Sequence, residues 1–223
     1  NELKMNNGCT SYSFRQKLSQ NAFSLSAYYD AMVSNWMLDN ITGVNPRRFS
    51  ISAALSQDLR YGENPHQSAS FFLDEYLQGG IGASNQIQGK KLSYNNINDT
   101  DAALELVNEF PQNDGAAAVI VKHANPCGVG VANSLVEAYR SAFSCDKTSA
   151  FGGIVALNRI IDEESAREIS KVFTEVVIAP DITEGARKIF SLKSNLRLLI
   201  TKKSPVQACS SKVIKHIAGG YLL

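Results

Sequence analysis

The pattern of apolar and polar positions divides the chain into a helical start and a long alternating part. Apolar residues recur every three or four positions through residues 10–39, which predicts one long helix. Gly43 and Pro46 then interrupt this pattern, because neither residue favours a helix interior. A domain boundary is therefore expected there, with a first domain at 1–45 and a second at 46–223.

The second part alternates apolar strands with amphipathic helices. Continuous apolar runs predict buried strands, and a period near 3.6 residues predicts the helices between them. The predicted strands are 117–121, 153–157, 176–179 and 196–200, and the predicted helices are 100–110, 133–143, 162–173 and 181–192. This order predicts a layered α/β domain with parallel strand pairs and right-handed crossovers. Weaker strands are expected at 49–55 and 68–72, separated by polar loops.

Composition narrows the class of protein. The 223 residues include 22 Lys plus Arg and 21 Asp plus Glu, so the formal net charge is +1, and 44% of the residues are hydrophobic. The net charge near zero excludes nucleic-acid binding through bulk charge, and the hydrophobic fraction is sufficient for a buried core. No apolar run reaches the roughly 18 residues of a membrane span. The four cysteines never form a CxxC pair and no signal-peptide core is seen, which favours reduced thiols and a cytoplasmic protein.

The end of one predicted strand carries candidate chemistry. The strand at 117–121 leads directly into Lys122 and His123, and ligands of α/β folds gather at the carboxyl ends of strands. Histidine can act as a general base near neutral pH, and lysine can stabilise a developing negative oxygen. Gly128 and Gly130 are expected to leave room for a ligand near the backbone. The alternative is a solvated lysine beside a histidine that is hydrogen-bonded to backbone.

The loop at 59–67 carries a second set of candidate residues. The guanidinium of Arg60 has a planar fork that suits a phosphate, and Tyr61 can stack on a ligand or donate a hydrogen bond. The alternative is a surface turn in which Arg60 contacts Glu63.

A catalytic zinc is not expected. Zinc deaminases carry H-x-E followed by P-C-x-x-C. This chain has Pro126 and Cys127 without the second cysteine, and Asn125 stands where the glutamate would be. One remaining ligand does not hold zinc. A phosphate-binding Walker A loop and a nucleophile elbow are also missing from the sequence.

Five segments, in this order along the chain, are similar to one family. They are LRYGENPHQ at 59–67, LSYNN at 92–96, VKHANPCG at 121–128, SAFGGIVAL at 149–157 and EVVIAP at 175–180. Together they resemble the bifunctional purine biosynthesis enzymes that combine AICAR formyltransferase with IMP cyclohydrolase. The resemblance implies that 1–45 is the helical end of an incomplete cyclohydrolase domain. It implies that 46–223 is the first, cytidine-deaminase-like half of the formyltransferase domain.

The resemblance also implies residue roles. His123 would accept the proton from the 5-amino group of AICAR, and Lys122 would stabilise the transition state. Four residues would contact the substrate, and these are Arg60, Tyr61, Gly152 and Glu175. Arg60 would lie on the phosphate, and Gly152 would bring its backbone close to the nucleotide. Glu175 stands at a position where some relatives have aspartate.

Substrates and partners are likewise implied by the resemblance. The co-substrate would be 10-formyl-tetrahydrofolate, most of whose site would lie outside this chain, and the full-length protein would be a homodimer. No catalytic metal, nucleic acid or membrane partner is expected. Two alternatives stay open at this point, a nucleotide-binding fragment without catalysis and a zinc-dependent enzyme of the deaminase type.

Overall fold

The computed structural model describes residues 1–41, 46–74, 79–201 and 213–223. The chain forms two compact units, which are Asn1–Gln57 with Phe71–Leu77, and Asp58–Ser70 with Gln78–Leu223. The boundary predicted beside residue 45 falls on 42–45, outside the described residues, and so does Cys209. None of the helices in the described ranges combines the length and apolar character that crossing a membrane requires.

The first unit contains a short helix α1 (Glu2–Met5) and a long helix α2 (Tyr12–Asn40). Helix α2 begins two residues after its predicted start at residue 10. The Ser11 hydroxyl caps it, since it accepts a hydrogen bond from the Phe14 N–H and so satisfies one open amide of the first turn. No residue of α2 is buried. The periodicity thus predicted the helix correctly, while its apolar side chains, such as Trp36 at 53% exposed, stay accessible.

Two strands, β1 (Ala54–Leu59) and β2 (Ala69–Leu73), form a two-stranded sheet. The strand predicted at 68–72 is confirmed. The strand predicted at 49–55 is displaced toward the carboxyl end and overlaps β1 only at its last two residues. The displacement has a simple reason, since a strand forms where a partner is available for pairing and β2 supplies that partner.

The second unit is built on a six-stranded sheet. Its strands are β3 (Asn85–Gln88), β4 (Ala116–Lys122), β5 (Asn125–Ala132), β6 (Ile154–Leu157), β7 (Val176–Ala179) and β8 (Arg197–Ile200). The order across the sheet is β3-β8-β7-β6-β4-β5. Strands β6, β7 and β8 are parallel, whereas β4 is antiparallel to both of its neighbours and β3 is antiparallel to β8. The expectation of parallel pairs is therefore correct only for β6, β7 and β8.

Helices cover both faces of this sheet. Helix α3 (Tyr94–Asn108) packs on one face, and the other carries α4 (Leu135–Cys145), α5 (Glu163–Ile169) and α6 (Glu184–Ser191). Side chains of β4 alternate between the two cores, so that Val119 packs with α3 and Ile120 packs with α4. The predicted class of layered α/β domain is confirmed. Helix α3 begins six residues before its predicted start at residue 100.

Strand β5 was not predicted, and its glycines have a different role from the expected one. A Cβ at Gly128 would collide with the carbonyl oxygen of Ala142, and one at Gly130 with that of Ala138, both in α4. The two glycines therefore allow α4 to lie directly on β5. The expectation that they leave room for a ligand was wrong, because the helix occupies that space.

A second hairpin lies near the end of the chain. Strands β9 (Lys215–Ile217) and β10 (Gly220–Leu222) pair antiparallel through a two-residue turn. Of the two turn residues, only Gly219 has a positive φ, at 81°.

Candidate functional site

Most of the predicted site residues meet at one edge of the six-stranded sheet. The pairing register places Val121, Ile154, Val176 and Arg197 in one row across four strands. Because β4 runs antiparallel to β6, its carboxyl end lies beside the amino ends of the three parallel strands. The candidate residues therefore follow the carboxyl end of β4, as expected, but not the carboxyl ends of β6 and β7. There the candidate residues precede the strands.

His123 lies at the tip of the hairpin between β4 and β5. His123 and Ala124 form the two-residue connection, and their φ values are 53° and 54°. Two positive φ values are typical of a type I′ turn, which usually contains asparagine and glycine. For residues with a side chain, the left-handed conformation costs about 1–2 kcal/mol each. This turn therefore depends on contacts from outside the hairpin.

Asp99 of α3 supplies those contacts. Its Oδ2 accepts the His123 N–H at 2.9 Å and its Oδ1 accepts the Ala124 N–H at 3.0 Å. Hydrogen bonds to a charged group contribute about 1.5–3 kcal/mol each, which is comparable to the conformational cost of the turn. Asn125 adds a third contact, since its side-chain amide donates to the His123 carbonyl at 2.7 Å.

The imidazole of His123 remains accessible. His123 is exposed, and within the described parts of the chain its ring takes part in no hydrogen bond or ion pair. The alternative in which the histidine side chain bonds to backbone is therefore not seen. A ring in this setting has both nitrogens available for proton transfer.

Lys122 connects the hairpin to the segment that contains Gly152. The Lys122 ammonium donates to the Phe151 carbonyl at 2.9 Å, and the Gly152 N–H donates to the Phe173 carbonyl at 2.8 Å. Gly152 has a φ of 74°, which favours glycine at this position. An ammonium has three donors, so the one bond to Phe151 leaves two for another ligand.

Glu175 lies in the same region, directly before β7. Its Oε2 accepts a hydrogen bond from the Asn96 side-chain amide at 2.7 Å and lies 3.9 Å from Nη1 of Arg197. The Glu175 side chain is 40% exposed. One carboxylate oxygen is thus engaged by the protein, and the exposed part of the group is accessible to a ligand.

Arg60 and Tyr61 lie on the loop that connects β1 to β2. The guanidinium of Arg60 lies 5.7 Å from the ring centre of Tyr61, and the alternative contact with Glu63 is not among the ion pairs of the described residues. The Gly62 N–H donates to the Gln67 carbonyl, which closes the loop. Among the hydrogen bonds of the described residues, the one from the Asn95 side chain to the Glu63 carbonyl, at 3.3 Å, links the loop to the start of α3.

The first two turns of α3 carry residues whose roles the sequence did not reveal. Asn95 contacts the loop at 59–67, Asn96 contacts Glu175, and Asp99 contacts the hairpin turn. This stretch was expected to be a polar loop. The available signal was the capping pair Ser93 and Asn96, whose reciprocal hydrogen bonds define the helix start.

The thiol of Cys127 in β5 lies in surroundings that disfavour its nucleophilic thiolate form. Burial, and secondarily the charge of Asp146, raises the pKa of Cys127, and the opposing effect of Lys122 is smaller. The thiol is therefore protonated at neutral pH, when it is a weak nucleophile. Across the described ranges, no three His, Cys, Asp or Glu side chains are grouped so that they could hold a metal ion.

Comparison with known proteins identifies the family. The model of the AICARFT/IMPCHase bienzyme family matches residues 1–223. Similar relatives named bifunctional purine biosynthesis protein PurH come from Dinoroseobacter shibae, Ruegeria pomeroyi and Paracoccus denitrificans, at 54%, 53% and 54% identity over 222 residues. Each alignment covers 100% of this chain and 42% of the relative's length. The chain belongs to the AICARFT/IMPCHase bienzyme family.

Proposed function

We propose that the protein containing this chain transfers a formyl group from 10-formyl-tetrahydrofolate to the 5-amino group of AICAR, in purine nucleotide biosynthesis. The observation that carries this proposal is the meeting of Lys122, His123, Gly152 and Glu175 at one sheet edge in a member of this family. The same full-length protein would carry IMP cyclohydrolase activity, with 1–45 as the end of that domain and 46–223 as the start of the formyltransferase domain.

The proposed role of His123 follows from the chemistry of the amine. The amino nitrogen of AICAR is a poor nucleophile because its lone pair delocalises into the ring and the carboxamide. A base must therefore take its proton as the nitrogen attacks the formyl carbon. The exposed ring of His123, with no intramolecular partner in the described ranges, is suited to accept that proton.

Lys122 would stabilise the charge that develops in the same step. Attack on the formyl group places negative charge on its oxygen, and a positioned cation lowers the energy of that state. The ammonium is fixed by its bond to the Phe151 carbonyl and is in no ion pair within the described segments. Asp146, whose pKa is lowered mainly by hydrogen bonds from Ser149 and also by Lys122, compensates part of this charge without forming an ion pair with it.

The remaining residues would bind the nucleotide. Arg60 would contact the phosphate and Tyr61 would stack or donate a hydrogen bond, in keeping with their accessible positions on the 59–67 loop. Gly152 would allow the substrate to approach the backbone. Glu175 would accept a hydrogen bond from the substrate through the accessible part of its carboxylate.

Further proposals concern the assembled protein. The folate would bind largely outside these 223 residues, and the active protein would be a homodimer located in the cytoplasm. The family provides the support for these proposals.

Calorimetric titration with AICAR tests the nucleotide site. We expect saturable binding to the full-length protein, weakened by Arg60→Ala and by His123→Ala. An assay of formyl transfer with both substrates then separates an enzyme from a nucleotide-binding module. Binding without transfer in the full-length protein would support the module, and absence of both would overturn the proposal.

A further inference from the structure

The hairpin turn that carries His123 is unusual because a charged side chain from another element holds its backbone. Both turn residues adopt positive φ values without glycine. The backbone N–H groups of both turn residues donate to one carboxylate, that of Asp99. The histidine backbone position is therefore fixed by α3 as well as by the strands on either side.

We propose that Asp99 is a positioning residue for the reaction, acting through the backbone of His123. This inference rests on the function proposed above, because it presumes that His123 is the proton acceptor. Asp99 would keep the turn in the one conformation from which the imidazole reaches the substrate amine. It would not itself touch the substrate.

The surroundings of Asp99 support a dedicated role. The residue is only 9% exposed, and in the part of the chain that the structure describes it belongs to no ion pair. Burying a carboxylate is costly unless hydrogen bonds compensate for the lost water. The hydrogen bonds that the described structure gives to this carboxylate are the two from the turn, one to each oxygen.

An amide could not replace the carboxylate. Both turn contacts require an acceptor, and an asparagine side chain offers one oxygen and one NH₂ donor. In Asp99→Asn the NH₂ group would face a backbone N–H, so one contact would be lost and repulsion would replace it. The shape and volume of the side chain would be nearly unchanged.

Helix α3 also links the turn to a second part of the site. Asn96, one helical turn before Asp99, donates to Glu175. Asp99 and Asn96 thus set the distance between the histidine backbone and a proposed substrate contact by their spacing along one helix. A loss of the Asp99 contacts should release the turn while Glu175 keeps its own partner.

The test measures formyl transfer by the full-length protein and its Asp99→Asn variant. We expect kcat to fall about 30-fold or more, since small displacements of a catalytic group lower rates by up to about 100-fold. The KM for AICAR should change by less than about threefold, because binding residues on the 59–67 loop are unaffected. Asp101→Asn is the matched control, since it removes a charge from the same helix and should leave kcat unchanged.

A rescue variant separates positioning from general damage. Glycine adopts positive φ without support, so the double variant Asp99→Asn/Ala124→Gly should recover part of the lost kcat. If Asp99→Asn does not fold, Asp99→Glu serves instead, because it keeps the charge but displaces it. Its kcat should be lower than that of the wild type and should recover in part with Ala124→Gly.

Three results would overturn this inference. They are an unchanged kcat in Asp99→Asn, an equal loss in Asp101→Asn, and a loss that appears in KM alone. An active wild type with any of these results would refute the role of Asp99 while leaving the proposed function intact. A wild-type protein without formyl transfer would refute the proposed function itself.

Discussion

The two hairpins of the second unit solve the same geometric problem in different ways. The β9–β10 hairpin turns through Ala218 and Gly219, with a positive φ only at the glycine. The β4–β5 hairpin turns through His123 and Ala124, with positive φ at both. Glycine adopts this conformation without strain, whereas histidine and alanine do not.

The difference indicates that the residues of the β4–β5 turn are not the ones that its backbone conformation favours. A turn built only to reverse the chain is most easily made with glycine. The β4–β5 turn instead contains a titratable side chain and depends on a buried carboxylate from α3. Backbone strain of this kind clusters at functional sites, and here it coincides with the candidate base.

The largest expected effect tests whether formyl transfer depends on the β4–β5 turn, which contains His123, and not on the β9–β10 hairpin. His123→Ala should lower the rate of formyl transfer by about 100-fold or more, the usual contribution of a general base. His216→Ala makes the same change in the other hairpin and should leave the rate unaltered. Steady-state kinetics of both full-length variants provide the measurement, and equal rates for the two would contradict the distinction between the hairpins.

A second substitution tests the cation beside that turn. Lys122→Met keeps an unbranched side chain of similar length without the charge, and we expect transfer to slow by about 100-fold, as for other losses of transition-state stabilisation. Lys215→Met, in β9, is the control for loss of a lysine. A decrease in the apparent affinity for AICAR without a lower kcat would assign Lys122 to binding instead.

Two substitutions, one to glycine and one from glycine, test the backbone strain of the turns through the free energy of unfolding. Ala124→Gly should stabilise the fold by up to about 1 kcal/mol, because relief of left-handed strain outweighs the added chain entropy. Gly219→Ala should destabilise it by about 1–2 kcal/mol, since φ is 81° there although the space around it is open. Urea unfolding measures both. The same sign for the two exchanges would show that the turns do not differ in strain.

The smallest expected effect is on the pH dependence of stability and concerns Glu168, which serves as a comparison for Asp99. Hydrogen bonds from Arg140 and Lys171 lower the pKa of Glu168. A lowered carboxyl pKa stabilises the fold fully above the unfolded-state pKa, and this stabilisation is lost as pH falls through the folded-state pKa. Glu168→Gln should therefore flatten the acid side of the stability profile.

At neutral pH the same change should cost less than about 1 kcal/mol, because Arg140 and Lys171 are exposed and solvent screens their ion pairs with Glu168. Unfolding measured from pH 3 to pH 7 gives the profile. Formyl transfer at neutral pH should be unaltered, in contrast to Asp99→Asn. A steeper acid limb in Glu168→Gln would contradict the assigned sign.

Much of the second unit could be predicted because its strands are buried on both sides. Residues 117–121 and 176–179 are continuous apolar runs, and the structure places strands over both. Strand β5 could not be found in this way, since its sequence NPCGVGVA contains two glycines that are explained only by α4 lying against them. Its antiparallel direction follows from the two-residue turn, which the sequence does not mark with glycine.

The candidate residues could be recognised from the sequence, whereas the contacts that hold them in place could not. Lys122 and His123 stand out as charged and titratable residues after an apolar strand. Asp99 does not, because an aspartate in a polar helix is ordinary until the fold brings it to the turn. Contacts between residues 24 positions apart depend on packing that local patterns do not encode.

The reversed direction of β4 has a consequence for engineering. The connection from α5 to β7 lies at the sheet edge that carries Lys122 and Glu175. The connections from β6 to α5 and from β7 to α6 begin at the opposite edge. Libraries that vary residues 170–174 should therefore change substrate preference. A spectroscopic label attached near residue 181 would lie at the opposite end of β7 from Glu175 and should leave the proposed activity unchanged.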